Sequence, residues 1–373
     1  MVKREQAKLN RAMKVQFVVQ PKSGLSYHRI INPMDFLQWD EGDSGQLLWV
    51  IEDEHLIGDA DILYFNKLIG MDEKQLLALK KKGMKIVVDV DDSWDLPISH
   101  PFYKTWEARG NREKVIANFK LADLVICATM KLQDKVRPYN KNTVVIPNAF
   151  PFGHDVYVPN PGPRQKMSFI YVAGATHLPD VELLKGKFKR IGGENFIRDN
   201  AEFILAGYEP TIVSKYKTKQ DYEARNGNTV QVKVQNVWDR MANIFSQTNA
   251  HRLLPATNLD EYINYYDQAD VAIIPLCATE WNSYKSELKI VEAAVKGIPA
   301  ICSNVEPYSK LIPCEGVMWV NSPDDWIKYF RYCIKNPNFV KEQGHRLHEW
   351  VKEEYDLIKW NETRKQLFKS LMH

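Results

Sequence analysis

Short, uninterrupted apolar runs alternate with longer amphipathic stretches along this chain, and the series is interrupted once before it starts again. The first series contains Lys14–Val19, Leu47–Trp49, Ile62–Tyr64, Lys85–Val90, Leu124–Cys127 and Thr143–Ile146, with helical stretches such as Glu73–Lys82 and Asn111–Leu121 between them. The second contains Ser168–Val172, Glu202–Ala206, Ala250–Leu254, Val271–Ile274, Ala300–Cys302 and Val317–Val320. Apolar runs without polar alternation suit strands covered on both faces, so the pattern predicts α/β architecture with parallel sheets. The interruption, His154 to Lys166, holds PNPGP and reads as a linker. At 373 residues the chain is also too long for one core. Two Rossmann-like domains are expected, residues 1–158 and 159–345, facing across a cleft. Ligands of such sheets bind beyond the carboxyl ends of the strands. The polar stretch 211–247 reads as an insertion, and the last thirty or so residues, 346–373 included, as long amphipathic helix.

Composition removes other classes. Hydrophobic residues at 45% and charged residues at 26% exclude a mainly disordered chain, a collagen-like repeat and a coiled-coil rod. No run approaches the roughly 18 apolar residues of a membrane span. The apolar run after the basic N-terminus, Val15–Val19, is too short for a signal peptide. Five scattered cysteines without a CxxC fit reduced thiols, hence a cytoplasm. A net charge of +3 names no partner.

No GxGxxG, P-loop, HExxH or GxSxG occurs, so the usual dinucleotide, kinase, zinc and hydrolase readings lose their footing. The strongest local signal runs from Thr279 to Tyr308: a polar loop after VAIIPL, a helix of about ten residues, Gly297 as its stop, then another strand. Ser286 is the expected N-cap, with Lys289 one turn into the helix. A helix N-terminus suits a phosphate, and Lys285 beside it adds a full positive charge. Glu292, about two turns in, is placed to accept both hydroxyls of a ribose. A surface helix with solvated Lys and Glu explains the same residues equally well.

This segment resembles the nucleotide-sugar site of GT-B glycosyltransferases, particularly the family-4-like group. KSELKIVEAAVKGIPAICS, Lys285 to Ser303, follows the stretch that holds the donor there. YVAGATHLPDVELL (Tyr171–Leu184) is similar to the first strand and loop of the donor domain. Ala122–Phe150, with its PN, is similar to the strand–helix–strand closing the acceptor domain, and KIVVDVDDSWDLP (Lys85–Pro97) to a further acceptor-domain element. The resemblance implies a GT-B fold whose C-terminal helix crosses back to the N-terminal domain. It also implies transfer of a sugar from a nucleotide-sugar, with UDP favoured as the commonest donor nucleotide in the group, and retention of the anomeric configuration. Two departures stand out. The first of the group's two glutamates is Tyr284 here, and the loop GATHLPD lacks the Arg/Lys pair that often grips the diphosphate, for which Lys285 and Lys289 are the expected replacements. Gly174 is expected to let backbone approach a diphosphate, and His177 to act on phosphate or sugar.

On the acceptor side, Asp91 and Asp92 are candidates for orienting or deprotonating the acceptor hydroxyl, with helix capping as the alternative role. Asp89 and Asp91 form a DxD, but no metal is expected, since GT-B enzymes generally meet the diphosphate with helix dipoles and basic side chains. Arg29 is expected to face a phosphate of donor or acceptor, or to make a surface salt bridge. Trp94, Lys104, Trp106 and Arg109 alternate aromatic and basic character, as in surfaces that stack bases and track phosphates. One acceptor reading is therefore a hydroxymethylated pyrimidine in DNA, as for certain phage enzymes. Polysaccharide or lipopolysaccharide is the other, with the aromatics in the core. A sugar-nucleotide epimerase and a non-catalytic nucleotide-sugar binder stay open. Oligomeric state is not legible.

Overall fold

The computed structural model describes residues 12–20, 24–49, 57–159, 162, 164–209, 237–311 and 314–373. Residues 211–236 of the expected insertion, and its basic cluster Lys215–Lys219, lie outside the described residues. The chain separates into two compact units. The first comprises Met1–Tyr157, Thr279–Val291 and Val351–His373, the second Val158–Ala278 and Glu292–Trp350.

Each unit is built on a six-stranded, wholly parallel sheet. In the first, β1 (Lys14–Val19), β2 (Ser44–Trp49), β3 (Ile62–Asn66), β4 (Lys85–Val90), β5 (Leu124–Cys127) and β6 (Thr143–Val145) lie in the order β2-β1-β3-β4-β5-β6. In the second, β7 (Met167–Val172), β8 (Ala201–Tyr208), β9 (His251–Pro255), β10 (Val271–Ile274), β11 (Ala300–Ser303) and β12 (Val317–Val320) lie in the order β12-β11-β10-β7-β8-β9. Chain order reverses between β1 and β3 in one sheet and between β7 and β10 in the other. Such switch points open a crevice at the carboxyl ends of the strands.

Both faces of the first sheet are covered, which is why its strands read as apolar runs. Phe17, Ile62, Tyr64 and Val87 face one core, and Val18, Leu63, Phe65 and Val88 the other. The second core contains Leu76 and Leu79 of α1 (Glu73–Lys81) and Val115 and Phe119 of α2 (Asn111–Leu121). A full capping box starts α1. Asp72 accepts from Gln75 N, and the Gln75 side chain accepts from Asp72 N.

Of the remaining helices, α3 (Leu178–Glu182) follows β7 and α4 (Leu288–Val295) lies between β10 and β11. The single long C-terminal helix read from the sequence is two, α5 (Pro337–Glu354) and α6 (Leu357–Leu371). Between them the backbone leaves the helix to pair with Phe150, whose N–H donates to Tyr355 O (3.0 Å) and whose carbonyl accepts from Leu357 N (2.9 Å). Asp356 restarts the helix by accepting from Ile358 N at 2.8 Å. α6 packs on the N-terminal sheet. Phe368 is fully buried against Phe17 and Tyr64, and Asn361 Nδ2 donates to Pro33 O at 2.9 Å.

Candidate functional site

The switch point of the second sheet is assembled from the ends of β7, β10 and β11. After β7 the chain passes Gly174, makes a tight turn over Ala175–His177 and enters α3, with Pro179 in its first turn. A Cβ built on Gly174 would meet no atom within 4 Å, so nothing in the fold itself demands glycine there. Asp180, 4% exposed, ties the loops together. One oxygen lies 2.8 Å from His177 Nδ1, and the other accepts from Cys277 N beyond β10 at 2.8 Å. The contact of Asp180 with Nδ1 sets the orientation of the His177 ring. Leu276 N donates to Ser303 Oγ at the end of β11, at 3.0 Å.

The helix carrying the donor-like motif is shorter than expected. It starts at Leu288, two residues beyond Ser286. The Glu287 carbonyl accepts the first helical bonds, from Ile290 N and Val291 N, so Ser286 is not the cap. Its hydroxyl accepts instead from Asn148 Nδ2 at 2.7 Å, within the first unit. Lys289 falls in the first turn and Glu292 in the second. At the other end Gly297 has φ +69°, where only glycine is unstrained; its N–H donates to Ala294 O and that of Ile298 to Ala293 O, a Schellman closure.

Glu292 is 4% exposed, and both its oxygens are engaged by phenols. Tyr262 Oη donates to Oε1 at 2.9 Å and Tyr266 Oη to Oε2 at 2.7 Å. Lys296, one turn further along the same face, is buried against Asn264 (3.0 Å) and Asp267 (2.9 Å) of the same Tyr262–Gln268 segment.

The carboxylates at the end of β4, in the first unit, have different company. Asp89 is fully buried and accepts from Arg29 Nε and Nη2 (both 2.9 Å), Tyr64 Oη (2.7 Å) and Asn66 Nδ2 (3.2 Å). Arg29 is 1% exposed, on a π-helical turn over Tyr27–Ile31, and donates also to Ile146 O (2.9 Å) and Asn148 Oδ1 (3.3 Å). Burial works against its charge, but Asp89 outweighs that and holds its pKa above the ordinary value. Arg29 therefore faces neither a phosphate nor the surface, because its fork is filled by Asp89. Asp91 pairs with Lys67 at 3.1 Å; burial alone would raise its pKa, yet Lys67, Arg29 and Asn66 hold it below the usual carboxylate range. Asp92 pairs with Lys285 at 3.3 Å through one oxygen, while its buried Oδ1 has no hydrogen-bond partner. Lys285 also stands 4.1 Å over the Trp281 ring, and Lys135 lies 4.2 Å from the Tyr284 ring. Neighbouring His28 is held down to about 4 by burial, and Arg29 and Lys289 act in the same direction.

The four residues read as a nucleic-acid surface do not form one. Trp94 is 1% exposed and packs edge-on against Phe119 at 4.8 Å, so it cannot stack on a base. Trp106 is half-buried against the same core, with its indole N–H enclosed. Lys104 and Arg109 are exposed, on and just after the short helix Tyr103–Ala108. Sequence reading missed Asp180, Asn148, Tyr262 and Tyr266. Asp180 could have been suspected from its place three residues after His177, and the tyrosines from their i,i+4 spacing. Cys127, Cys302, Cys314 and Cys333 are buried free thiols. Among the described residues no helix is long and apolar enough to cross a membrane, and no cluster of three His, Cys, Asp or Glu side chains could hold a metal.

No protein-family model matches the chain, and no curated protein sequence does. Solved structures do. Sucrose-phosphate synthase from Thermosynechococcus elongatus is 14% identical over 97% of this chain and 99% of its own, with a TM-score of 0.66. HepE from Anabaena, solved with UDP-glucose, is 13% identical over 96% of this chain and 100% of its own, at 0.57. A UDP-forming trehalose-phosphate synthase from Burkholderia xenovorans is 10% identical over 86% of this chain and 76% of its own, at 0.56. The fold is GT-B, with two Rossmann-like sheets and a C-terminal helix on the N-terminal unit.

Proposed function

We propose that this protein is a glycosyltransferase that moves a sugar from a UDP-sugar to an acceptor hydroxyl. One observation carries the reading. At the switch point of the second sheet, where open α/β sheets bind ligands, a glycine with room beside it precedes a histidine held by a buried carboxylate. Gly174 leaves space for a diphosphate, and His177, oriented by Asp180, donates to phosphate or sugar. Lys285 and Lys289 supply positive charge near the start of α4, so the leaving group is stabilised without a metal, and turnover is expected to survive chelation. Glu292 accepts the ribose hydroxyls. The UDP-glucose bound to HepE and the UDP-forming trehalose-phosphate synthase support UDP as the nucleotide, and the resemblance to the family-4-like group supports retention.

Of the two acceptor-side candidates, Asp92 suits the hydroxyl better than Asp91. Asp91 is held well ionised by Lys67, which makes it a weak base, whereas Asp92 has a buried oxygen lacking a donor. With Trp94 in the core, the DNA reading retains only Lys104 and Arg109, and a glycan hydroxyl is the preferred acceptor. The test is release of UDP from a panel of UDP-sugars, with glycan acceptors and with hydroxymethylated DNA, by wild type and Asp92→Asn. Acceptor-dependent release by wild type that falls at least tenfold in kcat in the variant, about 1.4 kcal/mol, supports the reading. No turnover or hydrolysis with any donor, despite UDP binding, would leave a non-catalytic binder; interconversion of free UDP-sugar would mark an epimerase.

A further inference from the structure

We infer that Tyr262 and Tyr266 are positioning residues that set the carboxylate of Glu292 for recognition of the donor ribose. The inference rests on the donor-site reading above and concerns residues that reading does not use. Glu292 is buried on α4, and each of its oxygens is met by a different phenol, 2.9 and 2.7 Å away. The phenols come from positions i and i+4 of one short segment. That segment is fastened to α4 a second time, through the contacts of Asn264 and Asp267 with Lys296. Glu292 on α4 and Lys296 just past its end are themselves i and i+4, so four side-chain bonds fasten this stretch to one segment.

The arrangement has a purpose in ligand binding. A free glutamate loses rotamer entropy when a ligand fixes it, on the order of 1.5–2 kcal/mol. Groups that fix it beforehand remove that cost from the binding step. A phenol donating to each oxygen sets the plane of the carboxylate. Both donors are neutral hydroxyls. Burial, with Glu292 adjacent, keeps Tyr266 protonated and hence a donor.

The experiment is calorimetric titration of UDP and of 2′-deoxy-UDP into the full chain as wild type, Tyr262→Phe, Tyr266→Phe, Glu292→Gln and Tyr266→Phe/Glu292→Gln. Melting temperatures are recorded alongside, and Tyr262→Phe, at the half-buried position, serves should Tyr266→Phe fail to fold. Wild type is expected to prefer UDP over the deoxy analogue. Glu292→Gln should weaken UDP about ten- to a hundredfold and erase that preference. Each tyrosine variant should weaken UDP roughly three- to tenfold and shrink the preference, whereas Tyr266→Phe should add nothing in the Glu292→Gln background. A merely structural tyrosine would not move the UDP/deoxy-UDP ratio. Unchanged affinities and ratio in the tyrosine variants, with Glu292→Gln still impaired, would overturn this inference and leave the donor site standing. An equal loss from Tyr266→Phe in both backgrounds would overturn it too, by showing action independent of Glu292. Unchanged UDP affinity in Glu292→Gln would overturn the donor-site reading and this inference with it.

Discussion

The two units carry buried carboxylates held in different ways. At the end of β4 in the first unit, Asp89, Asp91 and Asp92 meet Arg29, Lys67 and Lys285, and cations cancel most of the charge. In the second unit each oxygen of Glu292 accepts from a phenol, which orients the carboxylate. The first arrangement is what a scaffold needs, since an ion pair in the interior must be complete to be tolerated. The second suits a group that must still bind something. Asp92 departs from the pattern of its own unit through its buried Oδ1, which has no hydrogen-bond partner, and this is why the proposed function favours it over Asp91.

The sharpest way to break the comparison is Arg29→Met. If Arg29 is scaffold, the variant strands Asp89 in the interior and should lose about 3–5 kcal/mol in denaturant unfolding, with much of it restored by adding Asp89→Asn. A variant of undiminished stability that binds UDP or acceptor poorly would return Arg29 to a ligand-facing role.

A second test uses the buried histidine of the same cluster. His28 is held down to about 4 in the folded chain, from an ordinary value of 6.5. Between these values the unfolded chain binds a proton that the folded chain refuses. Stability should therefore fall as pH drops from about 6.5 to about 4, by up to about 1.4 kcal/mol per pH unit, and the contribution should level off below. His28→Gln should flatten that slope even if its own stability differs. Equal slopes in the two proteins would mean that the imidazole charges freely in the fold.

The smallest effect is expected at Lys104 and Arg109. Replacing both exposed residues by alanine should leave stability within about 0.5 kcal/mol. With a glycan acceptor it should also leave any residual DNA binding with unchanged salt dependence. A slope flattened by roughly 0.7–0.9 per lost contact would restore the nucleic-acid reading.

How far the sequence could be read follows the range of the interactions involved. Strands such as Lys85–Val90 and Val271–Ile274 were legible because a doubly covered parallel strand is apolar at nearly every position. Gly297 was legible as a helix stop because its role is local. Ser286 was misplaced as a cap because its partner, Asn148, is 138 residues away in sequence. Arg29 looked like a free cation because Asp89 lies 60 positions further on, and Trp94 looked like a stacking platform because a tryptophan beside lysines reads alike on a surface and over a core. The tyrosines that hold Glu292 stand 26 and 30 positions before it, and their i,i+4 spacing alone does not say which residue they face.

The central claim, that the second unit's switch point receives the donor, is tested most directly by titrating UDP into wild type and Gly174→Val with melting temperatures measured in parallel. A Cβ at Gly174 meets no atom within 4 Å, and the parallel melting temperatures show whether the valine's two further methyls are accommodated as well. The substitution should weaken UDP by about a hundredfold or more, roughly 2.7 kcal/mol, by occupying the space the diphosphate requires. Equal UDP affinity in the two proteins, or no UDP binding by wild type, would contradict the account.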